Sequence, residues 1–507
     1  MQAVHTVQLL LKPSKYECQE IARRFHALVH LHNVCVKHAR KCMIRLQHDK
    51  QYLEALQLYN ELSKKEKLSK KEKSQKSELS KKLENRRVEL GLSKAALERY
   101  LKVCGKRFSR LLSSQQVQTE ADRVWNGVAK CLFGNGKNLH FKKYMDFDTI
   151  GGKSNKNGAR FDLDAMYVNW LGLSLKCYLP KSENSLSYVW ESLKGKISYC
   201  NIKRLMFSSG WRYYAEIVVS GAAPTRVSIG TSTMGIDPGV STIAGVSEDA
   251  CVLEELAPNA IQYEKKIQKI SQRMDRSRRI SNPNKYNEDG TINRSNRDPW
   301  KYSKNYVKMC RLLKSLYRKK HAYIVDSHRK LCNKLITIAR YFPVEKMHFQ
   351  ALQKRAKETK RQEKKTEVKQ KDGTVKVIQK YKRKKRFGRS INRRAPARFL
   401  LELKRKAEAV GGVYAEVDTK EFKASQYNHV TDTYEKIPLS QREKEIGKRK
   451  VQRDLYSAFL IRNADLDFKH PDREKCEYEF EYFADMQDQL ILKMKESGLS
   501  MRQCFGF

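Results

Sequence analysis

Residues 4–11 (VHTVQLLL) are apolar and rich in β-branched side chains, and they stop at Lys12-Pro13, which predicts a strand. Ser14 then opens S-K-Y-E, a capping-box signature, and Ile21, Phe25, Leu28, Leu31 and Cys35 follow at helical spacing. Residues 61–87 are highly charged, with Leu62, Leu68, Leu79 and Leu83 as sparse apolar points. They predict a solvated helical hairpin, or a helical arm along a phosphate backbone. Helix continues, with interruptions, to residue 133. The turn-rich stretches FGNGKN and IGGKSNKNG mark a change at residue 134, and the β-like runs YVNWLGLSLKCYL, IKRLMF and WRYYAEIVV follow. Residues 134–230 therefore read as a β module that takes up the 4–11 strand, with the helices inserted between.

From residue 231 the pattern changes again. Short strands at 232–236, 242–246 and 251–253 precede a basic helical region at 260–340 and a strand at 344–347. Residues 352–394 are a charge run, 19 Lys or Arg against 4 Asp or Glu, and an Asp372-Gly373 turn inside it predicts a small hairpin. Ala395-Pro396 opens a helix with apolar points Phe399, Leu400, Leu403, Ala407 and Val410, closed by Gly411-Gly412. Val413, Ala415 and Val417 alternate as a strand, and a last helix spans 449–463. The order β-β-β-α-β-α-β-α is that of a ribonuclease-H-like α/β domain, in which three antiparallel strands lead a mixed sheet.

Length and charge narrow the reading. At 507 residues the chain needs more than one core. Its net charge of +48 calls for a polyanion; nucleic acid is the leading partner and an anionic membrane surface the rival. No run of about 18 apolar residues occurs, so no bilayer span is expected. The first residues lack a basic leader, a long apolar core and a cleavage site, so no secretion signal is expected. Twelve cysteines are scattered singly with no CxxC, which predicts reduced thiols and a cytoplasmic location.

Three carboxylates carry the candidate chemistry. Asp237 ends the first strand of the second half and alone reads equally as a plain Asp-Pro-Gly turn. Glu345 lies in RYFPVEKMHF, where an edge glutamate facing solvent is the alternative. Asp454 lies in GKRKVQRDLYSAFLIRNAD, where Val451, Leu455, Ala458 and Ile461 form the apolar stripe of a helix, and it shares a face with Ala458 and Ile461; the alternative is a border residue paired with Arg453 or Arg462. In the expected sheet the first and fourth strands are parallel neighbours, which brings the three acids together. Converging carboxylates repel unless divalent cations bridge them, and hard oxygen donors select Mg²⁺ or Mn²⁺. Two such ions suit phosphodiester cleavage.

GIDPGVSTIAGVS, VEKMHFQALQKRAK and RDLYSAFLIRN resemble the three RuvC motifs of TnpB proteins and of the miniature type V CRISPR effectors. KYSKNYVKMCRLLKSLYRKKH and KRFGRSINRRAPARFLLELKRKAEAVGG resemble the segments between those motifs, and LFGNGKNLHFKKY…GGKSNKNGARF resembles a wedge domain of the same family. The likeness covers residues 134–465. It implies an RNA-guided DNA endonuclease with a guide RNA and an opened double-stranded DNA target as partners, acting as monomer or homodimer. The implied fold is multidomain α+β: a ribonuclease-H-like (RuvC) nuclease domain, a β-barrel wedge domain and an inserted helical recognition domain. The implied boundaries are wedge strand 1–12, recognition domain 13–133, wedge 134–230, RuvC parts 231–350, 395–422 and 449–465, a basic insertion 351–394, a ribbon-like module 423–448 and a tail 466–507. By the resemblance Asp237, Glu345 and Asp454 form the acidic triad, with Asp237 bridging two ions and Glu345 orienting the water. Arg386, Arg389, Arg393 and Arg394 are candidates for nucleic-acid backbone contacts, with a solvated charge run as the alternative. The family's zinc ribbon has no counterpart in KEFKASQYNHVTDTYEKIPLSQREKEIGKRK, which lacks cysteine, so zinc is not expected and hydrophobic or RNA contacts must replace it. The rival functions are a nuclease-silent guided binder and a guide-independent transposase or nuclease.

Overall fold

The computed structural model describes residues 3–65, 68–134, 136–353, 361–369, 375–381, 387–438 and 441–498. It mixes helix and sheet, and it divides into two units, Met1–Pro224 and Thr225–Phe507.

In the first unit β1 (Val4–Leu11) leads into α1 (Lys15–Gln47), α2 (Lys50–Ser63), α3 (Lys70–Glu89), α4 (Lys94–Gly105) and α5 (Ser114–Phe133). Ser14 and Glu17 close the capping box on α1, and Ile21, Phe25, Leu28, Leu31 and Cys35 are all buried. The charged hairpin forms from α2 and α3, with Leu62 and Leu83 as its buried points. The chain returns through β2 (Thr149–Ile150), β3 (Ala159–Asp162), β4 (Tyr167–Trp170), β5 (Leu173–Tyr178), α6 (Glu183–Leu193), β6 (Ile197–Phe207) and β7 (Gly210–Ser220). Among the described residues the strands form one sheet, ordered β2-β6-β7-β1-β5-β4-β3. The opening strand thus lies mid-sheet, antiparallel to both β7 and β5, and α1–α5 are an insertion into a sheet.

The second unit begins with β8 (Ser232–Thr233), β9 (Gly235–Pro238), β10 (Thr242–Val246) and β11 (Cys251–Glu255). Next come α7 (Ala260–Ser281), α8 (Lys304–Ile338), β12 (Ala339–Glu345), α9 (Phe349–Gln353), a hairpin of β13 (Arg361–Lys369) and β14 (Val375–Tyr381), α10 (Gly388–Arg394), α11 (Pro396–Ala409) and β15 (Val413–Val417). The remainder is α12 (Thr419–Phe422), β16 (Tyr427–Asn428), β17 (Thr433–Tyr434), β18 (Glu443–Ile446), β19 (Arg449–Gln452), α13 (Arg453–Arg462) and α14 (Arg473–Glu496). The sheet order is β11-β10-β9-β12-β15, with β8 beside β12. β10 is antiparallel to both β9 and β11; β12 runs parallel to both β9 and β15.

Side-chain alternation gives the sheet two apolar faces. Ile236, Ile243, Phe342 and Val344 pack against α8 and α11. Ala244, Val246, Leu253 and Val417 pack against α13 and α14.

Four sequence expectations shift. The first strand runs as β8 and β9 to Pro238, one residue beyond Asp237 rather than ending at it. The fourth strand starts at Ala339 and ends at Glu345, with Pro343 inside. Proline is tolerated there for a local reason. The Tyr341 carbonyl accepts the Met234 N–H, so alternate residues 341 and 343 turn toward β8 and β9, where the register breaks. Residues 449–452 form β19, not the start of the last helix, because they pair with β18. Finally, α13 is buried on every side instead of along one stripe, since α14 covers the face away from the sheet. Among the described residues no helix is long and apolar enough to cross a membrane.

Candidate active site

The register Val344↔Ile236 sets Glu345 beside Asp237 at the carboxyl ends of two parallel strands. Ile236 and Val344 belong to the face under α8, so Asp237 and Glu345 point to the face under α13. Gly235 lies on that second face too. A β-carbon there would fall on the Ala458 carbonyl and the Arg462 amide, so the backbones of β9 and α13 touch. Asp454 is one helical turn before Ala458, and this crossing carries it toward Asp237. The Gln452 side chain caps α13 by accepting the Leu455 N–H at 2.7 Å, and it leaves Asp454 in the first turn, where the helix dipole favours an anion.

The three acids feel one another. The Asp237 carboxyl is held well above the usual carboxylate range, first by the protein packed around it, then by the charges of Glu345 and Asp454. Arg453 opposes the shift. Glu345 is also raised, chiefly by burial and further by Asp454, while its hydrogen bond with Asp237 pulls the other way. Burial and mutual repulsion thus bias both carboxyls against ionising together.

Asp454 is engaged differently. Its Oδ2 accepts from Arg442 Nη1 at 3.2 Å. Its Oδ1 accepts from Arg453 Nε at 3.2 Å and Nη2 at 3.0 Å. The pairing with Arg453 was one sequence alternative. Arg462 instead reaches the Ser247 carbonyl and Glu479. Arg442 was not foreseen, and the one available signal was the Ile446-Gly447 turn that folds β18 back on β19.

The donor chemistry of Asp237 and Glu345 suits a hard divalent cation, whose charge would offset the repulsion between them. The third carboxylate does not close on the other two, because two guanidinium groups hold both of its oxygens. Among the described residues no group of three or more His, Cys, Asp or Glu side chains converges in a way that would hold a metal ion.

The basic candidates separate. Arg386 lies outside the described residues, and Arg389 is exposed. Arg393 pairs with Glu264 at 2.8 Å, a carboxylate it shares with Lys320. Arg394 is buried against Glu255. Both arginines therefore fasten α10 to the rest of the unit.

The cysteine-free module at 423–448 folds as two small hairpins, β16–β17 and β18–β19. Their core is aromatic: Tyr427, Tyr456, Phe459, Phe480 and Phe483. His429 is buried among them, bonded through Nδ1 to the Tyr456 hydroxyl at 2.7 Å, and burial lowers its pKa to about 4. Two of these rings come from α14, a helix the sequence reading did not anticipate, although Cys476, Phe480, Phe483 and Gln487 mark its buried face at helical spacing.

No protein-family model matches the chain, and no curated protein sequence matches it. Two solved structures overlap with most of its length. A cryo-EM structure of the Cas12f1-sgRNA-target DNA complex covers 91% of this chain and 99% of its own, at 11% identity and a TM-score of 0.44. A cryo-EM structure of a CRISPR-Cas12f ternary complex covers 90% and 82%, at 13% identity and a TM-score of 0.26. Overlaps this loose assign neither a fold nor a family.

Proposed function

We propose that this protein is an RNA-guided DNA endonuclease that hydrolyses phosphodiesters at Asp237, Glu345 and Asp454. The observation that carries the reading is the pairing of Asp237 on β9 with Glu345 on β12 at one edge of a sheet, with Asp454 of α13 near enough to act on Asp237, whose carboxyl is raised by burial first and by both neighbouring charges second. The strand order β11-β10-β9-β12-β15, with three antiparallel strands followed by two parallel ones, supports a ribonuclease-H-like (RuvC) nuclease domain. A net charge of +48 supports a polyanion as ligand. The three sequence motifs supply the guide-RNA part of the reading.

Magnesium or manganese held by these carboxylates would supply Lewis acidity for the hydrolysis. The chain's own part is to gather oxygen donors and to keep the polyanion near them. The test is to purify the protein with its RNA, sequence that RNA, and offer a matching DNA duplex with Mg²⁺ or with EDTA. Cleavage should need both RNA and Mg²⁺, and Asp237→Ala should lower it by about a hundredfold or more. Cutting without RNA would support a guide-independent nuclease. The hold of Arg442 and Arg453 on Asp454 favours a second reading, a nuclease-silent guided DNA binder. RNA-dependent DNA binding without any cleavage would select it.

A further inference from the structure

We propose that Arg442 and Arg453 compete with a divalent cation for the carboxylate of Asp454, and that nucleic-acid phosphate relieves the competition by drawing Arg442 away. The inference rests on the reading that these acids hold metal.

The two arginines act from a single device. Arg442 immediately precedes β18 and Arg453 immediately follows β19. The Arg453 N–H donates to the Arg442 carbonyl at 2.8 Å, which extends the hairpin ladder by one pair. The base of the hairpin is thus the start of the helix that bears Asp454. Both guanidinium groups aim at the same side chain, one on each oxygen. Arg453 is anchored further by donating from Nη1 to the Gln441 carbonyl at 3.2 Å. Among the described residues the Arg442 guanidinium pairs with this carboxylate alone, and its side chain is 27% exposed against 9% for Arg453.

A hard cation needs the lone pairs that the guanidinium groups now use. A cation and a guanidinium on one shielded carboxylate also repel one another, so both cannot hold Asp454 at full strength. Arg442 is the one that can leave. A phosphodiester offers it a charge-assisted acceptor of the same kind, reachable from solvent. Cation and nucleic acid would then favour each other's binding, by an equal factor in each direction.

The experiment measures Mn²⁺ binding by electron paramagnetic resonance in the full chain, with no turnover involved. The variants are Arg442→Ala, Arg442→Gln, which keeps a hydrogen-bond donor if the alanine change unfolds the hairpin, and Asp237→Asn as the blank for binding elsewhere. Each is measured with and without a phosphorothioate-linked single-stranded DNA. Over the blank, both Arg442 variants should bind Mn²⁺ about tenfold more tightly than the wild type. The DNA should tighten the wild type toward the variants and change the variants little. If the wild type binds Mn²⁺ through Asp237 and the Arg442 variants bind it equally or less tightly, the arginine proposal is overturned and the metal reading stands. If no form binds Mn²⁺ above the blank, even with DNA, the metal reading fails and this proposal fails with it.

Discussion

Gly235 supports α13 from below, so closely that a β-carbon on it would occupy the carbonyl of Ala458. The obstacle is helix backbone rather than a side-chain tip, so nothing nearby can swing aside. Gly235→Ala should lift α13 from the sheet or bend β9. We expect it to cost about 3 kcal/mol, at the upper end for overpacking a core. Urea unfolding of the full chain measures this. A midpoint equal to that of the wild type would mean that α13 does not cross β9 in contact.

The raised carboxyl of Asp237 makes stability depend on pH in a defined direction. Its folded pKa lies above the reference value of 3.8, so the folded chain holds a proton that the unfolded chain has released. The stability linked to Asp237 is complete below that reference value and is lost as pH rises through the raised one. Asp237→Asn should therefore stabilise the metal-free protein at pH 8, and the gain should vanish toward pH 4. Millimolar Mg²⁺ should raise the melting temperature of the wild type and leave Asp237→Asn unmoved. A variant that melts below the wild type at pH 8 in EDTA would contradict the crowding of these acids.

The side-by-side placing of Asp237 and Glu345 follows from the expected order of elements. The order of a ribonuclease-H-like domain makes the first and fourth strands parallel neighbours, which sets Asp237 and Glu345 near one edge; the register Val344↔Ile236 is that pairing. Asp454 was placed on a helix that does exist, but its environment was misjudged. An apolar stripe of Val451, Leu455, Ala458 and Ile461 assumes one buried face, whereas α13 is enclosed on every side. Periodicity within one segment says nothing of what covers its far face. The same limit hid Arg442, whose approach to Asp454 is set by a hairpin turn and not by spacing along a helix. It also hid the fate of Arg393 and Arg394, which a charge run marks as basic without telling that Glu264 and Glu255 would meet them. The β1 strand shows the opposite case: its β-branched apolar run and the Lys12-Pro13 stop predict a strand, and β1 pairs with β7 over its whole length.

In the first unit Arg204 on β6 is fully buried, and its guanidinium stacks within about 4 Å of the rings of Phe25, Tyr144 and Trp211. Its Nε donates to the Phe147 carbonyl at 2.8 Å. A planar cation between three rings ties α1 to the sheet, and burial lowers its pKa. Arg204→Lys keeps the charge but loses the flat faces and the fork of donors, so it is not conservative here. We expect a loss of about 3 kcal/mol, with faster amide exchange in α1 than in β6 and β7. Uniform exchange across the unit would show that Arg204 does not join helix to sheet.

The tail helix is expected to do for the cysteine-free hairpins what a metal would otherwise do. Gln487 of α14 is fully buried; its Oε1 accepts the Gln452 N–H at 2.7 Å and its Nε2 donates to the Lys450 carbonyl at 3.2 Å. The side-chain amide thus serves β19 as a neighbouring strand would, two residues before Asp454. Phe480 and Phe483 on the same helix fill the core under His429 and Tyr456. Gln487→Ala removes both bonds and leaves a buried N–H and a buried carbonyl without that partner, at a cost of about 1–3 kcal/mol. Its effect should reach the site, because Gln452 also caps α13. Hydrogen exchange should show amides 443–455 opening in Gln487→Ala, whereas a zinc chelator should change exchange in 423–452 of the wild type not at all. Exchange that rises with the chelator would mean that a metal, and not this aromatic core, holds the hairpins.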